Sequence, residues 1–298
     1  MAATPPDIIC IGAVLWDIIG RSRVTMSLGA DVPGRITRVP GGVAMNVALT
    51  LRRFGLSPAV LTAIGNDSIG EELMLACEKM GIHTQFVHRS LEYPTDRYVA
   101  IEDANGLIAA IADAHSLEAA GDAILAPLAN GRLGSVTQPW TGLIALDGNL
   151  TESLLAEIAA SPFFAAADLR VAPASIGKVG RLTPLIDHPR TTLYLNLEEA
   201  CVLCGENLET SSAAANALLA RGARRVLVTD GPRACSDARA GAEILTDLPP
   251  SVQVVRVTGA GDTFMAAHIA AECAGRPRSA ALASALLAAA EYVSENAG

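Results

Sequence analysis

A strand–turn–helix rhythm runs through most of this chain, and it narrows the fold more than any other feature. Asp7-Ile-Ile-Cys-Ile-Gly12 is a short apolar run closed by glycine, the pattern of a buried strand. Gly41-Gly42-Val-Ala-Met-Asn46 opens a helical pattern in which Val43, Val47 and Leu51 recur on one face and Gly55 ends the run. Residues 57–64 read as a strand, and residues 69 to about 80 as a helix stopped by Gly81. The rhythm resumes with strands at 143–146, 169–172, 193–195 and 225–229 and helices at 152–160, 197–204 and 211–220. An extended stretch at 247–257 and two closing helices, 262–274 and 278–295, finish the chain. Strands alternating with helices predict an α/β fold, a mostly parallel sheet covered by helices on both faces.

Two segments break the rhythm. Residues 21–40 lack helical periodicity and carry recurrent glycine and proline. Residues 96–102 and 107–112 are β-prone runs flanking the turn Asp103-Ala-Asn-Gly106, which reads as a hairpin. Together, segments of about 13–40 and 95–113 are expected to form a small β lid on a single domain spanning residues 1–298.

Composition removes several function classes. With 298 residues, 51% of them hydrophobic and 18% charged, the chain has ample material for a packed core. The net charge of −9 and the lack of a basic patch argue against a nucleic-acid polymer as partner. The most apolar stretch, residues 279–290, is short, alanine-rich and flanked by Arg276, Arg278 and Glu291, so a buried helix is expected there and no membrane span. The first residues show no basic region followed by a long apolar run, and the six cysteines suggest no disulfide framework; a cytoplasmic location is expected. The pair Cys201 and Cys204 sits late in an expected helix without a second ligand pair, which argues against zinc or redox chemistry.

Chemistry concentrates at Thr258-Gly259-Ala260-Gly261-Asp262. Small residues let a backbone approach a ligand closely, and amides at a helix N-terminus stabilise an anion. A carboxylate at the same place can take a proton from an alcohol. The bland alternative is an aspartate N-cap after an ordinary glycine turn. No GxxxxGK[ST] sequence occurs, which excludes a P-loop enzyme, and GxGxxG is missing from the first βα turn, which argues against a dinucleotide-dependent oxidoreductase.

Thr258-Gly-Ala-Gly-Asp-Thr-Phe264 resembles the C-terminal signature of the ribokinase-like (PfkB) carbohydrate and nucleoside kinases, and Pro40-Gly-Gly-Val-Ala-Met-Asn46 resembles their N-terminal signature. The resemblance implies an ATP-dependent phosphotransferase with Mg2+. Asp262 is then the catalytic base, and the amides of Gly259, Ala260 and Gly261 form the anion hole. Asp17, Gly41, Gly42 and Asn46 would hold substrate hydroxyls. Asn196-Leu-Glu-Glu199 resembles the family's NxxE element, with Glu199 acting on the metal through water. For ATP, the resemblance implies contacts from Asn196, Thr229, Gly231, Thr258, Gly259, Gly261, Leu286 and Ala289. Arg256 stands where many members carry an acidic or amide residue tied to a monovalent cation. A cation beside a guanidinium is disfavoured, so potassium activation is not expected. Lid strands in this family often pair between subunits, which implies a homodimer.

Several segments resemble the pseudouridine kinases within that family. They are Asp31-Val-Pro-Gly34, the hairpin strand ending in Asp113, Asp147-Gly-Asn149, and Ala172-Pro-Ala-Ser-Ile-Gly-Lys178. Val32 and Ala172 depart from that pattern. Asp113, Asn149 and Lys178 could read a uracil-like edge or the ribose. The alternatives are a kinase of the same family for another sugar or nucleoside, such as ribose, adenosine or a fructose-like sugar, and a non-catalytic ligand-binding protein on the same fold.

Overall fold

Side-chain alternation within the strands builds a sheet with two covered faces. In the computed structural model, which describes residues 5–294, strand β1 (Ile8–Ile11) is fully buried. Its Ile9 and Ile11 join one hydrophobic cluster, and Ile8 and Cys10 join another on the opposite face. Around it run β2 (Leu15–Arg21), β3 (Arg35–Gly41), β4 (Pro58–Leu61), β5 (Ala63–Gly65), β6 (His88–Ser90), β7 (Arg97–Asp103) and β8 (Gly106–Asp113). They are followed by β9 (Leu143–Asp147), β10 (Asp168–Ala172), β11 (Thr191–Asn196), β12 (Arg225–Thr229), β13 (Cys235–Arg239) and β14 (Leu245–Asp247). The main sheet has the order β14-β13-β12-β11-β10-β9-β1-β4, parallel from β12 to β4, with β13 and β14 antiparallel at one edge.

The helices are α1 (Val43–Arg53), α2 (Ser68–Lys79), α3 (His115–Ala120), α4 (Ala126–Ala129), α5 (Glu152–Ala160), α6 (Leu197–Cys204), α7 (Ser211–Ala220), α8 (Ala260–Cys273) and α9 (Arg278–Ser294). Leu154, Leu155 and Ile158 of α5, Leu203 of α6 and Leu218 of α7 pack on one face of the sheet. Residues of α1, α2, α8 and α9 pack on the other.

A separate sheet, ordered β3-β2-β7-β8, is made from residues 15–41 and 97–113, with β2 lying ahead of the 21–40 stretch. The 21–40 stretch contributes β3 as an edge strand, and β7 and β8 form the expected hairpin. On one face of this sheet lie Asp17, Tyr98 and Ala112, matched across the strands. The other face carries Ile18, Val99 and Ile111 in register, with Ile36 and Ile101, and much of it is exposed.

The structure corrects three boundaries and adds two short helices. The 57–64 run is two strands, β4 in the main sheet and β5 pairing with β6 elsewhere. Residues 248–257 form no strand; the backbone amides of Val255 and Arg256 donate to the Val293 carbonyl of α9 and so strap this segment to the C-terminal helix. Helix α8 starts at Ala260 with Gly259 as its N-cap, so Asp262 is its third residue and not its cap. Helices α3 and α4 carry too short a periodic pattern to stand out in the sequence. The expected end of the last helix at residue 295 lies outside the described residues.

Candidate active site

The double glycine of the N-terminal motif has a steric cause. A Cβ on Gly41 would fall 2.0 Å from an Asp17 carboxylate oxygen, and one on Gly42 would fall 2.4 Å from the Ala13 carbonyl. Gly42 also sits at φ 92°, where side chains are disfavoured, and it caps α1. The close approach sets the start of α1 against Ala13, just past β1, and delivers Asn46 to the site. There the Asn46 Nδ2 donates to Asp262 Oδ2 at 2.8 Å, joining residues 216 positions apart.

Gly259 makes the second tight approach. It adopts φ 88°, and a Cβ there would lie 2.5 Å from the Tyr292 hydroxyl oxygen, which itself donates to the Thr258 carbonyl at 2.9 Å. At Gly261 a Cβ would meet nothing within 4 Å, so the turn opens on empty space. That space is a cleft of about 580 Å³ at the C-terminal ends of the parallel strands. Asp17, Asn46, Asn149, Lys178, Asn196, Glu199, Thr229 and the Thr258–Asp262 turn all line it.

Its electrostatics are dominated by carboxylates. Burial pushes the Asp262 carboxyl up to about 7; the Asn46 hydrogen bond opposes the rise, and Asp147, Glu199 and Asp17 add to it. Burial raises Asp17 to about 6 and raises Glu199 above the usual carboxylate range. Asn196 and Glu199 form a reciprocal capping box on α6, each side chain accepting the other's backbone amide at 2.8 Å. One Glu199 oxygen therefore serves the helix, and the other is available to the cleft. Among the described residues no group of three His, Cys, Asp or Glu could hold a metal alone.

A second chain of bonds crosses the floor. Asp147 is buried; its Oδ2 accepts from the Ala13 amide at 2.8 Å, and its Oδ1 accepts from the Asn149 backbone at 2.8 Å and from Asn149 Nδ2 at 3.0 Å. The Lys178 ammonium then donates to Asn149 Oδ1 at 2.7 Å. Gly12 is required beneath this chain, because a Cβ there would fall 2.2 Å from the Asp147 Cβ.

Five expected residues stand outside the cleft lining, the first being Gly41, which is buried against Asp17 and leaves Gly42 to face the cleft. Asp113 turns to His115, 2.6 Å away, and only its neighbours Ala112 and Ala114 reach the cleft wall. Gly231 lies in an exposed turn two residues past Thr229, at φ 54°. Leu286 is buried in the core with α8, and Ala289 packs against the same cluster, so neither lines the cleft. Tyr98, Tyr194 and Phe264 also line it, none of them a site residue expected from the sequence. Tyr194 lies two residues before Asn196, and strand alternation is the one sequence signal that puts the two on the same face.

The sequence matches the description pfkB family carbohydrate kinase over residues 5–297. The chain belongs to the pfkB family. Members of this family are phosphotransferases that act on hydroxyl groups of sugars and nucleosides, and this chain is an enzyme of that class. It is 28% identical to the pseudouridine kinase of Escherichia coli K12 over 270 residues, 87% of this chain and 81% of the relative. It is equally 28% identical to the uncharacterized sugar kinase YeiI of the same organism over 267 residues, 87% of this chain and 70% of the relative. The ribokinase-like fold is shared with Arabidopsis thaliana ribokinase, solved with ribose and ATP, at a TM-score of 0.79 and 21% identity, covering 99% of this chain and 95% of that one. Among the described residues, no helix is long and apolar enough to cross a membrane.

Proposed function

We propose that this pfkB-family enzyme transfers a phosphoryl group from ATP to the 5′-hydroxyl of pseudouridine. The observation that carries the substrate choice is the Asp147–Asn149–Lys178 chain. Both ends of the Asn149 amide are committed to protein partners, so Asn149 positions Lys178 and Lys178 is the group that reads the base. An ammonium held in place with donors to spare suits the carbonyl oxygens of a uracil-like edge. The segments resembling pseudouridine kinases and the 28% identical relative of that name support the same choice.

In the chemical step Asp262 takes the proton from the hydroxyl. Asn46 engages its Oδ2 and leaves Oδ1 to receive the proton. The amides at the head of α8 stabilise charge on the transferring group. Glu199, with one carboxylate oxygen left over from the capping box, would hold Mg2+ at the cleft, where the ion would supply charge neutralisation. The β3-β2-β7-β8 sheet acts as a lid, setting Asp17, Tyr98 and Ala112 over the substrate and excluding water.

A second reading, a kinase for another sugar, is favoured by Ala172, which lines the cleft where the pseudouridine kinases carry aspartate. Coupled assays with pseudouridine, ribose, adenosine and fructose decide between them. Pseudouridine is expected to turn over best, and Lys178→Met to raise its KM by about tenfold or more with little change in kcat. Strong turnover of ribose or adenosine with none of pseudouridine overturns the substrate assignment.

Potassium is expected to be dispensable. The Arg256 guanidinium lies 3.8 Å from the centre of the Tyr292 ring and donates to the Tyr292 carbonyl at 3.0 Å, filling this position with fixed positive charge. Equal rates in sodium and potassium salts are the expected result; marked activation by potassium would contradict it. Self-association through the lid is also proposed, because its outer face leaves Ile111 73% and Ile36 77% exposed. The enzyme should run as a dimer in size-exclusion chromatography with light scattering, and Ile36→Asp/Ile111→Asp as a monomer.

A further inference from the structure

A second cleft, of about 430 Å³, opens at the opposite end of the main sheet, where β10, β11 and β12 begin. Arginines crowd it. Arg170 and Arg225 form its inner wall, nearly buried and neutralised by Asp168 and Glu272 in the cleft and by Asp237 behind it. Arg190, Arg224 and Arg239 also line it, are exposed, and form no ion pair with any described residue. A net positive cleft on a chain of net charge −9 is a local reversal that attracts anions. Guanidinium forks match phosphate oxygens in pairs, which a scatter of lysines would not.

The inner wall is wired to the active cleft. Arg170 Nη1 donates to the Tyr194 hydroxyl at 3.0 Å, and that hydroxyl is 2.9 Å from His268 Nδ1. Tyr194 itself lines the active cleft. His268 stacks on Phe264, two residues beyond Asp262 on α8, and Glu272, one turn further along, holds both Arg170 and Arg225. An anion that draws either arginine outward competes with Glu272 and Tyr194, and so acts on the helix that carries the base.

We propose that this cleft binds a small phosphate-type polyanion and that occupancy changes turnover through Tyr194 and α8. Binding stands apart from the substrate assignment, whereas the effect on turnover rests on Asp262 being the base. The test uses the full chain and inorganic pyrophosphate. In titration calorimetry the wild type and Asp262→Asn should bind alike, and Arg224→Ala/Arg239→Ala should bind about tenfold or more weakly. Equal affinity in wild type and double variant overturns the site, because the ligand is then bound elsewhere. In kinase assays pyrophosphate should change kcat of the wild type and leave the double variant unaffected; Tyr194→Phe should keep calorimetric binding and lose the change in turnover. A calorimetric loss in the double variant with no effect of pyrophosphate on wild-type kcat overturns the coupling and leaves the site. Equal changes in turnover of wild type and double variant show action at the active cleft and overturn the coupling.

Discussion

Asp262→Asn is expected to lower kcat by about two to four orders of magnitude, the usual contribution of a positioned general base. Asparagine keeps the size of the side chain and can still pair with Asn46, so the loss isolates the proton acceptor. The pH dependence sharpens the prediction. With the carboxyl raised to about 7, the base is protonated in acid, and kcat/KM should rise with pH and level off above about 7. Stability should run the other way. A carboxyl whose folded value is raised from 3.8 to about 7 binds more protons folded than unfolded between those values, so its contribution is full below about 4 and is lost as pH rises through 7. Asparagine carries no such titration. The variant should therefore gain stability relative to wild type between pH 5 and pH 8, by urea denaturation, while losing activity. An inactive variant that is also less stable at pH 8 would point to a structural role for Asp262, and a fully active one would remove it from the chemistry.

The glycine turn and the double glycine were legible because steric demand and a ligand-binding backbone both select glycine, and the structure supplies the colliding atoms: Asp17 and Ala13 against one motif, Tyr292 against the other. Pairings across long stretches of chain were not. Nothing local to Tyr292 announces that its hydroxyl braces Thr258, and nothing near Asn149 shows that its amide is spent on Asp147 and Lys178. The valine-rich run at 252–257 misled for a related reason. Its apolar pattern predicts a strand, but the sheet edge is already occupied by β13 and β14, so the segment bonds to α9 and leaves Val254 and Val257 exposed. Asp113 shows the limit of period-2 reasoning: alternation sets the face of Ala112, while an aspartate at a strand end is free to turn to the next charged neighbour, His115.

Glu272→Ala is expected to cost about 3 kcal/mol of stability at pH 7, the largest structural loss of any single change considered. The side chain holds two arginines at once, Arg170 through Oε2 and Arg225 through Oε1. Around it, Arg170, Arg225 and Arg278 balance Asp168, Asp237 and Glu272. His268 adds no charge, because burial pushes it down to about 4 and it is neutral at pH 7. Removing Glu272 therefore leaves one positive charge uncompensated beside two nearly buried guanidiniums, with Asp237 already shared between Arg225 and Arg278. Burial alone would raise the Glu272 carboxyl, but Arg170 holds it down at about 2, together with Arg225 and with His268 once that ring is protonated in acid. A lowered folded value means the stabilisation is present above the ordinary 4.5 and disappears as pH falls toward 2. The gap between wild type and variant in urea midpoint should accordingly be widest at neutral pH and narrow below about pH 4. Glu272→Gln, which keeps an acceptor but no charge, should fall between them. Equal midpoints for wild type and Glu272→Ala at pH 7 would mean that the network behaves like a solvated surface cluster and does not anchor α8 beneath the catalytic turn.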